Sequence, residues 1–269
     1  VATESTIFGF TETKLGILPA MINPLHGYAP YERLNAKEKD RLRHAQVALQ
    51  LSQFLHGEQG ALLCCGQLVE SVPDIDGKLY AATQVVDEAR HVEVFHRYLK
   101  RLHKVYPIDP SLKAVLNQIL EADMWQMKCV GMQVIVEGLA MGAFKIMKEE
   151  SNDELLRNVV ELTAQDEARH VSYGLIYMKD ELPKMSEPDR NRVEDFAYVA
   201  VEAMSGRKPG TGFSTQVALF QEVGLNLADV VAELHRTDLR HLDVGTRFGR
   251  MAEAVRTDHA ARVQQAPLA

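Results

Sequence analysis

Apolar residues recur at helical spacing through most of the chain. From Asn35 to about Glu70 there is no proline, and one face of the segment collects Val47, Leu51, Phe54, Leu55, Leu62 and Val69. Asn35 followed by Glu38 has the pattern of a capping box, in which each side chain satisfies a backbone N–H of the other residue. The segment is therefore predicted to be one long helix with a buried face.

The same spacing predicts helices along the rest of the chain. We expect them at about Asp76–Tyr106, at about Ser111–Glu150, from the cap Ser151-Asn152-Asp153 to near Leu182, at about Asp189–Ser205, at about 214–236 and at about 238–263. No segment alternates with the two-residue period of a strand. We predict an all-α fold in one ferritin-like domain, 1–269, with an irregular arm at 1–35, a metal-binding four-helix core at 36–182 and additional helices at 183–269.

Composition narrows the class of protein. The formal charge of −7 and the absence of a Lys/Arg block argue against a nucleic-acid-binding surface. Cys64, Cys65 and Cys129 form no CxxC pair, so neither a zinc ribbon nor a disulfide framework is indicated. No apolar run approaches the roughly 20 residues of a membrane span. We therefore expect a cytoplasmic protein that binds neither nucleic acid nor membrane.

One five-residue string occurs twice in the predicted core. It reads Asp-Glu-Ala-Arg-His at 87–91 and again at 166–170, and each copy has a glutamate 30 positions before its own glutamate. Those upstream residues are Glu58 and Glu137, so the two halves are related by an offset of 79 positions. The pattern indicates a duplicated helix pair, since only two copies exist.

The repeated spacing suits a centre of two metal ions. On a helix, residues i and i+3 share a face, so a glutamate and histidine at this spacing can ligate together. Two Glu-x-x-His helices and two further helices with one glutamate each form the known arrangement for two iron or manganese ions. We therefore predict six ligands, which also act as the catalytic residues through the metals: Glu58, Glu88, His91, Glu137, Glu167 and His170.

Charge balance favours two redox-active divalent ions. Four carboxylates carry four negative charges, which two divalent cations neutralise, and oxygen and imidazole ligands disfavour a structural zinc. Oxidation to two trivalent ions would leave two excess positive charges, which an oxide or hydroxide derived from oxygen or water can balance. The centre is therefore suited to dioxygen as co-substrate. A ligand histidine usually donates its second N–H to a carboxylate. The surrounding residues predicted to do this, with their counter-charges, are Asp87, Asp166, Arg90 and Arg169.

The predicted third helix is strongly apolar around Glu137. An unpaired carboxylate there would be costly to bury, so Glu137 should be protonated, paired or metal-bound. Gly131, Gly138 and Gly142 lie on the same helix, where glycine is unfavourable. We expect either close helix packing at these glycines or room for oxygen and substrate beside Glu137.

These motifs resemble those of the soluble ferritin-like di-iron oxygenases. The group includes multicomponent monooxygenase hydroxylases, p-aminobenzoate N-oxygenase and the ribonucleotide reductase small subunit. The resemblance implies one iron held by Glu58 and His91, a second held by Glu137 and His170, and Glu88 and Glu167 as bridges. It also implies that the aspartates pair across the site, Asp87 with His170 and Asp166 with His91.

Three positions depart from the subfamily patterns. Ribonucleotide reductase small subunits place a radical tyrosine where this chain has Phe95, and multicomponent monooxygenases place a threonine where it has Met141. The p-aminobenzoate N-oxygenase pattern has an additional histidine where this chain has Thr163. None of the three subfamilies is matched in full, so the motifs leave the substrate open.

We expect an oxygenase with two iron ions, or manganese or a mixed pair, that hydroxylates or N-oxygenates a small organic molecule. Its electrons would come from a donor such as a ferredoxin or reductase, and the protein would form a homodimer. One alternative is a ferritin-type ferroxidase that stores iron. Another is a radical-generating subunit that uses Tyr98, Tyr173 or Tyr177.

Overall fold

The computed structural model describes residues 29–204 and 224–226. Within these ranges the regular structure is entirely helical, which confirms the predicted all-α fold. A single helical turn at Ala29–Glu32 precedes six longer helices. These are α1 at Ala36–Ser71, α2 at Ile75–Leu102, α3 at Pro110–Glu121, α4 at Trp125–Glu150, α5 at Glu154–Glu181 and α6 at Glu187–Met204.

Side-chain caps begin the helices near the predicted positions. Asn35 and Glu38 form the capping box at the start of α1. Asp153 accepts hydrogen bonds from the backbone N–H groups of Leu155 and Leu156 at the start of α5. Helix α2 ends at Leu102, before the predicted Tyr106, because His103 takes a left-handed conformation with φ of 55°. Such a residue ends the helical backbone.

The prediction of one third helix over Ser111–Glu150 was wrong. Helix α3 ends at Glu121, the backbone is extended at Ala122, and α4 begins at Trp125. The Lys128 ammonium donates to the carbonyls of Ile119 and Leu120, which have no acceptor role within the helix at the carboxyl end of α3. Helix α4 then contains a π-helical segment, Val130–Val136, directly before Glu137.

Four helices form the bundle that holds the site. Helix α1 packs along α2, α4 packs along α5, and α2 faces α5. Helices α2 and α5 are antiparallel. The hydroxyl of Tyr98, near the end of α2, donates to Asp153 just before α5. The hydroxyl of Tyr177, near the end of α5, contacts Asp74 just before α2. This is the ferritin-like arrangement expected from the sequence, with α3 and α6 packed outside α1 and α4.

Close packing accounts for only one of the three glycines. A methyl group added at Gly131 would lie 2.7 Å from the Ile119 side chain and 2.9 Å from that of Phe196. At Gly138 and Gly142 the same methyl group would meet no atom of the described residues within 4 Å. The glycine of the π segment therefore allows α3 and α6 to approach α4, whereas the other two leave room on its surface.

Helix α4 corrects the expectation that no apolar run is long enough for a membrane span. Trp125–Glu150 has 26 residues and contains an 18-residue window with mean hydropathy of 1.4, enough by length and composition to cross a membrane. The core helix of a soluble protein meets the same criterion. Here the buried face of α4 carries Gln133 and Glu137 toward the other bundle helices, so this apolar helix forms part of the core.

Some predicted elements lie outside the described residues. These are the arm before residue 29 and nearly all of the helices at 214–236 and 238–263. Gly224 lies in a turn with φ of 74°, and residues 225 and 226 are not helical, so the prediction of helix is wrong at these three positions. Leu225 after this turn is buried in the core cluster that contains Phe95 and Phe144.

Candidate metal centre

The bundle brings the six predicted ligand residues together. Glu58 lies in the middle of α1, Glu88 and His91 one turn apart on α2, Glu137 directly after the π segment, and Glu167 and His170 one turn apart on α5. All six side chains are buried, and the most exposed of them, Glu58, has only 6% of its surface accessible. Such a concentration of carboxylates in a core requires compensating charge.

The six side chains form two overlapping groups. One contains Glu58, Glu88, His91 and Glu167, and the other contains Glu88, Glu137, Glu167 and His170. In each group the potential ligand atoms all lie within 4.8 Å of one another. Glu88 and Glu167 belong to both groups, so two neighbouring cations could share these carboxylates.

Both histidines present the same ring nitrogen to the carboxylates. His91 Nδ1 lies 3.3 Å from both Glu58 Oε2 and Glu88 Oε2. His170 Nδ1 lies 3.1 Å from Glu88 Oε1 and 3.2 Å from Glu167 Oε2. The Nδ1 atoms therefore face the centre of the site.

The other ring nitrogen of each histidine faces an aspartate from the opposite motif. His91 Nε2 lies 3.2 Å from Asp166 Oδ2, and His170 Nε2 lies 3.2 Å from Asp87 Oδ2. An aspartate at this place accepts the Nε2–H, so Nδ1 is the nitrogen that can release its proton and bind a cation. The structure thus contains the cross-pairing that the resemblance implied.

Two arginines connect these aspartates at the surface. Arg90 donates to Asp87 at 2.7 Å and to Asp166 at 2.6 Å, and Arg169 contacts the same two carboxylates. Burial alone would raise the pKa of Asp166, but hydrogen bonds from Arg90 and His91 lower it to about 2. Asp166 therefore remains ionised as the hydrogen-bond acceptor of His91.

Burial and mutual repulsion shift the pKa values of the central carboxyl groups. Burial and the charge of Glu167 raise the pKa of Glu58 well above its usual range, and burial with the charges of Glu167 and Glu88 does the same for Glu137. Burial also opposes ionisation of Glu88, but hydrogen bonds from the two histidines lower its pKa to about 2. Without added positive charge, the cluster therefore retains protons.

The histidines supply part of that positive charge. Burial lowers the pKa of His170, but hydrogen bonds with Glu167 and Glu88 outweigh this effect and raise it to about 11. The pKa of His91 is raised for the same reason by its contacts with Glu167 and Glu58. A cation that enters the site must displace these protons, so its affinity should increase with pH.

The residues fit a pair of metal ions. Glu137 Oε2 is buried without a hydrogen-bond partner and lies 3.9 Å from His170 Nδ1. Glu167 Oε1 is also buried without a hydrogen-bond partner and lies 3.1 Å from His91 Nδ1. Unpaired carboxylate oxygens beside imidazole nitrogens form a donor set typical of iron and manganese.

Two buried amides beside the cluster were missed from the sequence. Gln84 Nε2 donates to Glu137 Oε1 at 3.1 Å, and Gln133 Nε2 lies 3.5 Å from Gln84 Oε1 and 3.8 Å from Cys65 Sγ. Both glutamines are fully buried. The signal available was Gln133 itself, a polar residue within the apolar run Val130–Val136.

The three departures from the subfamily patterns have different surroundings. Phe95 is fully buried and packs against Phe54 and Phe144, with ring centroids 5.8 and 5.9 Å apart. Thr163 is buried on α5 one turn before Glu167, and Met141 is partly exposed on α4. Neither Phe95 nor Thr163 supplies the side chain that the corresponding subfamily uses.

Comparison with known proteins identifies the family. No curated protein matches the chain. A family profile described as P-aminobenzoate N-oxygenase AurF matches residues 9–222, which is most of the sequence and includes the whole four-helix core and all six buried ligand candidates. The chain therefore belongs to the p-aminobenzoate N-oxygenase AurF family, a family of non-haem di-iron oxygenases.

Proposed function

We propose that this protein binds two iron ions in the buried cluster and uses dioxygen to oxidise the nitrogen of a small aromatic amine. The observation that carries the proposal is the pair of overlapping groups that share Glu88 and Glu167. Manganese or a mixed pair would fit the same oxygen and nitrogen donors. The nitrogen as the reacting atom rests on the family description.

The side chains would divide the work between two ion positions. Glu58 and His91 would hold one ion, Glu137 and His170 the other, and Glu88 and Glu167 would contact both. When bound, the two ions would supply the electrons and the binding place that dioxygen requires. The Asp166 and Asp87 carboxylates would hold the Nε2 protons of His91 and His170, keeping both Nδ1 atoms available.

The bundle core would also exclude water from the chemistry. Phe54, Phe95 and Phe144 pack together beside the site, with ring centroids 4.6 to 5.9 Å apart. Burial of the carboxylates would strengthen their electrostatic interactions with the ions, and the apolar rings would keep water from competing with dioxygen and substrate.

Conversion of an amine to a hydroxylamine sets the requirement for electrons. The reaction R–NH₂ + O₂ + 2e⁻ + 2H⁺ → R–NHOH + H₂O needs two electrons from outside the substrate. We propose a ferredoxin or reductase as donor, a homodimer as the assembly and the cytoplasm as the location. C-hydroxylation of a carbon centre has the same stoichiometry and is the second possible outcome at this site.

The proposal is tested by reconstitution. Metal-free protein is loaded anaerobically with ferrous iron, supplied with a chemical reductant, and exposed to ¹⁸O₂ with p-aminobenzoate and related aryl amines. Mass spectrometry should detect one ¹⁸O atom on nitrogen, and metal analysis should give two iron ions per chain. Label on carbon instead would favour hydroxylation.

Two ligand variants and one control complete the test. Glu137→Ala and His170→Ala should abolish turnover and lose the iron ion that Glu137 and His170 would hold. Glu161→Ala removes a carboxylate that pairs with Lys148 on the surface of the same helix as His170. This variant should retain both turnover and bound iron. Full turnover and full iron content in the two ligand variants would refute the assignment. Iron stored as a mineral core without amine oxidation would favour the ferroxidase alternative.

A further inference from the structure

The internal repeat permits comparison of the two halves position by position. Residues 79 positions apart occupy equivalent places, as Glu58 and Glu137 do. The ligands are the same in both halves, but the residues one or two turns away are not. Three equivalent pairs differ in chemistry: Phe54 with Gln133, Phe144 with Cys65, and Thr163 with Gln84.

The Glu58 half has an apolar wall. Phe54 lies one turn before Glu58 on α1, and its ring centroid is 4.6 Å from that of Phe144 on α4. Phe95, one turn after His91, completes a cluster of three phenyl rings. None of these side chains can donate a hydrogen bond to a carboxylate.

The Glu137 half has an amide chain in the equivalent place. Gln133 Nε2 lies 3.8 Å from Cys65 Sγ, which corresponds to the contact between Phe54 and Phe144 in the other half. The residue equivalent to Phe95 is Gly174, where an added methyl group would lie 2.8 Å from the Gln133 side chain. The absence of a side chain at Gly174 therefore makes the space that Gln133 occupies.

The carboxylates determine the direction of the amide chain. Gln84 presents its NH₂ group to Glu137 Oε1 and Glu88 Oε1, at 3.1 and 3.4 Å. A carboxylate that holds a metal ion is deprotonated and only accepts hydrogen bonds, so this orientation is the one that suits the metal-bound site. Its carbonyl oxygen then faces Gln133, which must present its own NH₂ group. This order leaves Gln133 Oε1 buried without a partner. The orientation of both amides thus follows from the network.

The amide chain of Gln133 and Gln84 binds one of the two carboxylate oxygens of Glu137. Gln84 occupies Glu137 Oε1, while Glu137 Oε2 has no hydrogen-bond partner and lies on the side of His170. The equivalent residue of the other half, Thr163, is too short to carry an amide to Glu58. Glu137 is therefore oriented by a neighbour that Glu58 does not have.

We propose that Gln84, supported by Gln133, is a positioning residue that directs Glu137 Oε2 to the metal and makes the two metal positions of this protein unequal. The proposal rests on the metal centre proposed above. Hydrogen bonds from surrounding residues to a ligand typically change metal affinity by about 10- to 100-fold. The ion held by Glu137 and His170 should depend on Gln84, and the ion held by Glu58 and His91 should not.

Metal binding tests the proposal without turnover. Metal-free protein is titrated anaerobically with Co²⁺, whose visible absorption reports its ligands. Wild type should bind two ions. Gln84→Met removes the amide from a side chain of similar length, and it should weaken one ion about 10- to 100-fold and shift only that ion's absorption band. Thr163→Val, the matched control in the other half, should leave both ions as in wild type.

Single-ligand backgrounds assign the affected position. In His91→Ala, only the ion of Glu137 and His170 should remain. Adding Gln84→Met to this variant should weaken that ion's binding by the same factor, about 10- to 100-fold. In His170→Ala the same addition should have no effect. Gln133→Met leaves the Gln84 donor in place, so it should affect the same ion by a smaller factor.

Several results would overturn the proposal. These are equal weakening of both ions by Gln84→Met, no weakening of either, or the same loss in Thr163→Val. Failure of wild type to bind two Co²⁺ ions would refute the metal centre and this proposal together. Two ions that are indifferent to Gln84 would refute this proposal alone. Thermal unfolding of the metal-free variants, followed by circular dichroism, verifies that each is folded.

Discussion

Replacement of Glu137 by glutamine should change how the stability of the metal-free protein depends on pH. Glutamine has the shape of a protonated glutamate but cannot ionise. Glu137 is only 3% exposed, and burial with the charges of Glu167 and Glu88 raises its pKa well above 4.5. Above about pH 4.5 the folded chain therefore retains a proton that the unfolded chain has released.

The sign and size follow from this difference. Because the folded state binds more protons, the free energy of unfolding decreases as pH rises, by about 1.4 kcal/mol per pH unit for one proton. The decrease continues until the pH exceeds the raised pKa. Over each pH unit between about 4.5 and the raised pKa of Glu137, the stability of Glu137→Gln should fall by about 1.4 kcal/mol less than that of wild type. That difference corresponds to about 3–6 °C in Tm for a chain of this size.

Thermal unfolding measured by circular dichroism in steps of one pH unit from pH 5 upward, with a chelator present, gives the comparison. Glu121→Gln removes a carboxylate from the exposed end of α3 and should retain the wild-type dependence. If Tm falls with pH equally in wild type and Glu137→Gln, Glu137 holds no additional proton in the folded state. That result would refute the argument that burial and neighbouring charges raise its pKa. Saturating metal should reverse the trend in wild type, because cations bind the deprotonated ligands.

Three further outcomes are expected. His91→Ala should retain one of two metal ions, whereas Glu167→Ala should lose both because Glu167 belongs to both groups, and elemental analysis of each variant distinguishes these cases. Asp166→Asn should weaken the ion at His91 by about 10- to 100-fold in a metal titration, because the histidine loses the acceptor of its Nε2–H. Phe144→Ala should lower the free energy of unfolding by about 3–5 kcal/mol in denaturant titrations, since its ring is almost fully buried.

The sequence was sufficient to locate the centre of the site because metal ligation imposes spacing on the chain. Glu88 and His91 share a helix face only at three or four residues' separation, and the second copy at Glu167 and His170 repeats that spacing. Long helices with caps at Asn35 and Asp153 then predict which segments run side by side. The candidate ligand residues and the bundle helices could therefore be predicted from local rules.

The break between α3 and α4 follows from contacts that local rules do not contain. Residues 122–124 include neither glycine nor proline, and the apolar spacing continues across them. The chain turns there because Lys128 satisfies the carbonyls at the end of α3 and because α3 and α6 pack against the π segment at Gly131. These interactions join residues that are close only after folding, so periodicity alone extended the helix too far.

The repeated motif suggests two equal half-sites, and the structure shows why equal ligands do not imply equal sites. Ligand positions are restricted in both halves by the same coordination geometry, so the two strings can remain identical. One turn away, at Phe54 and Gln133, the requirement is only that a side chain of suitable volume fills the core. Phenylalanine fills that volume without polar atoms, whereas glutamine fills it and brings an amide chain to Glu137. Differences in reactivity between the two metal positions should therefore arise from the residues surrounding the ligands, where the duplicated halves are free to differ.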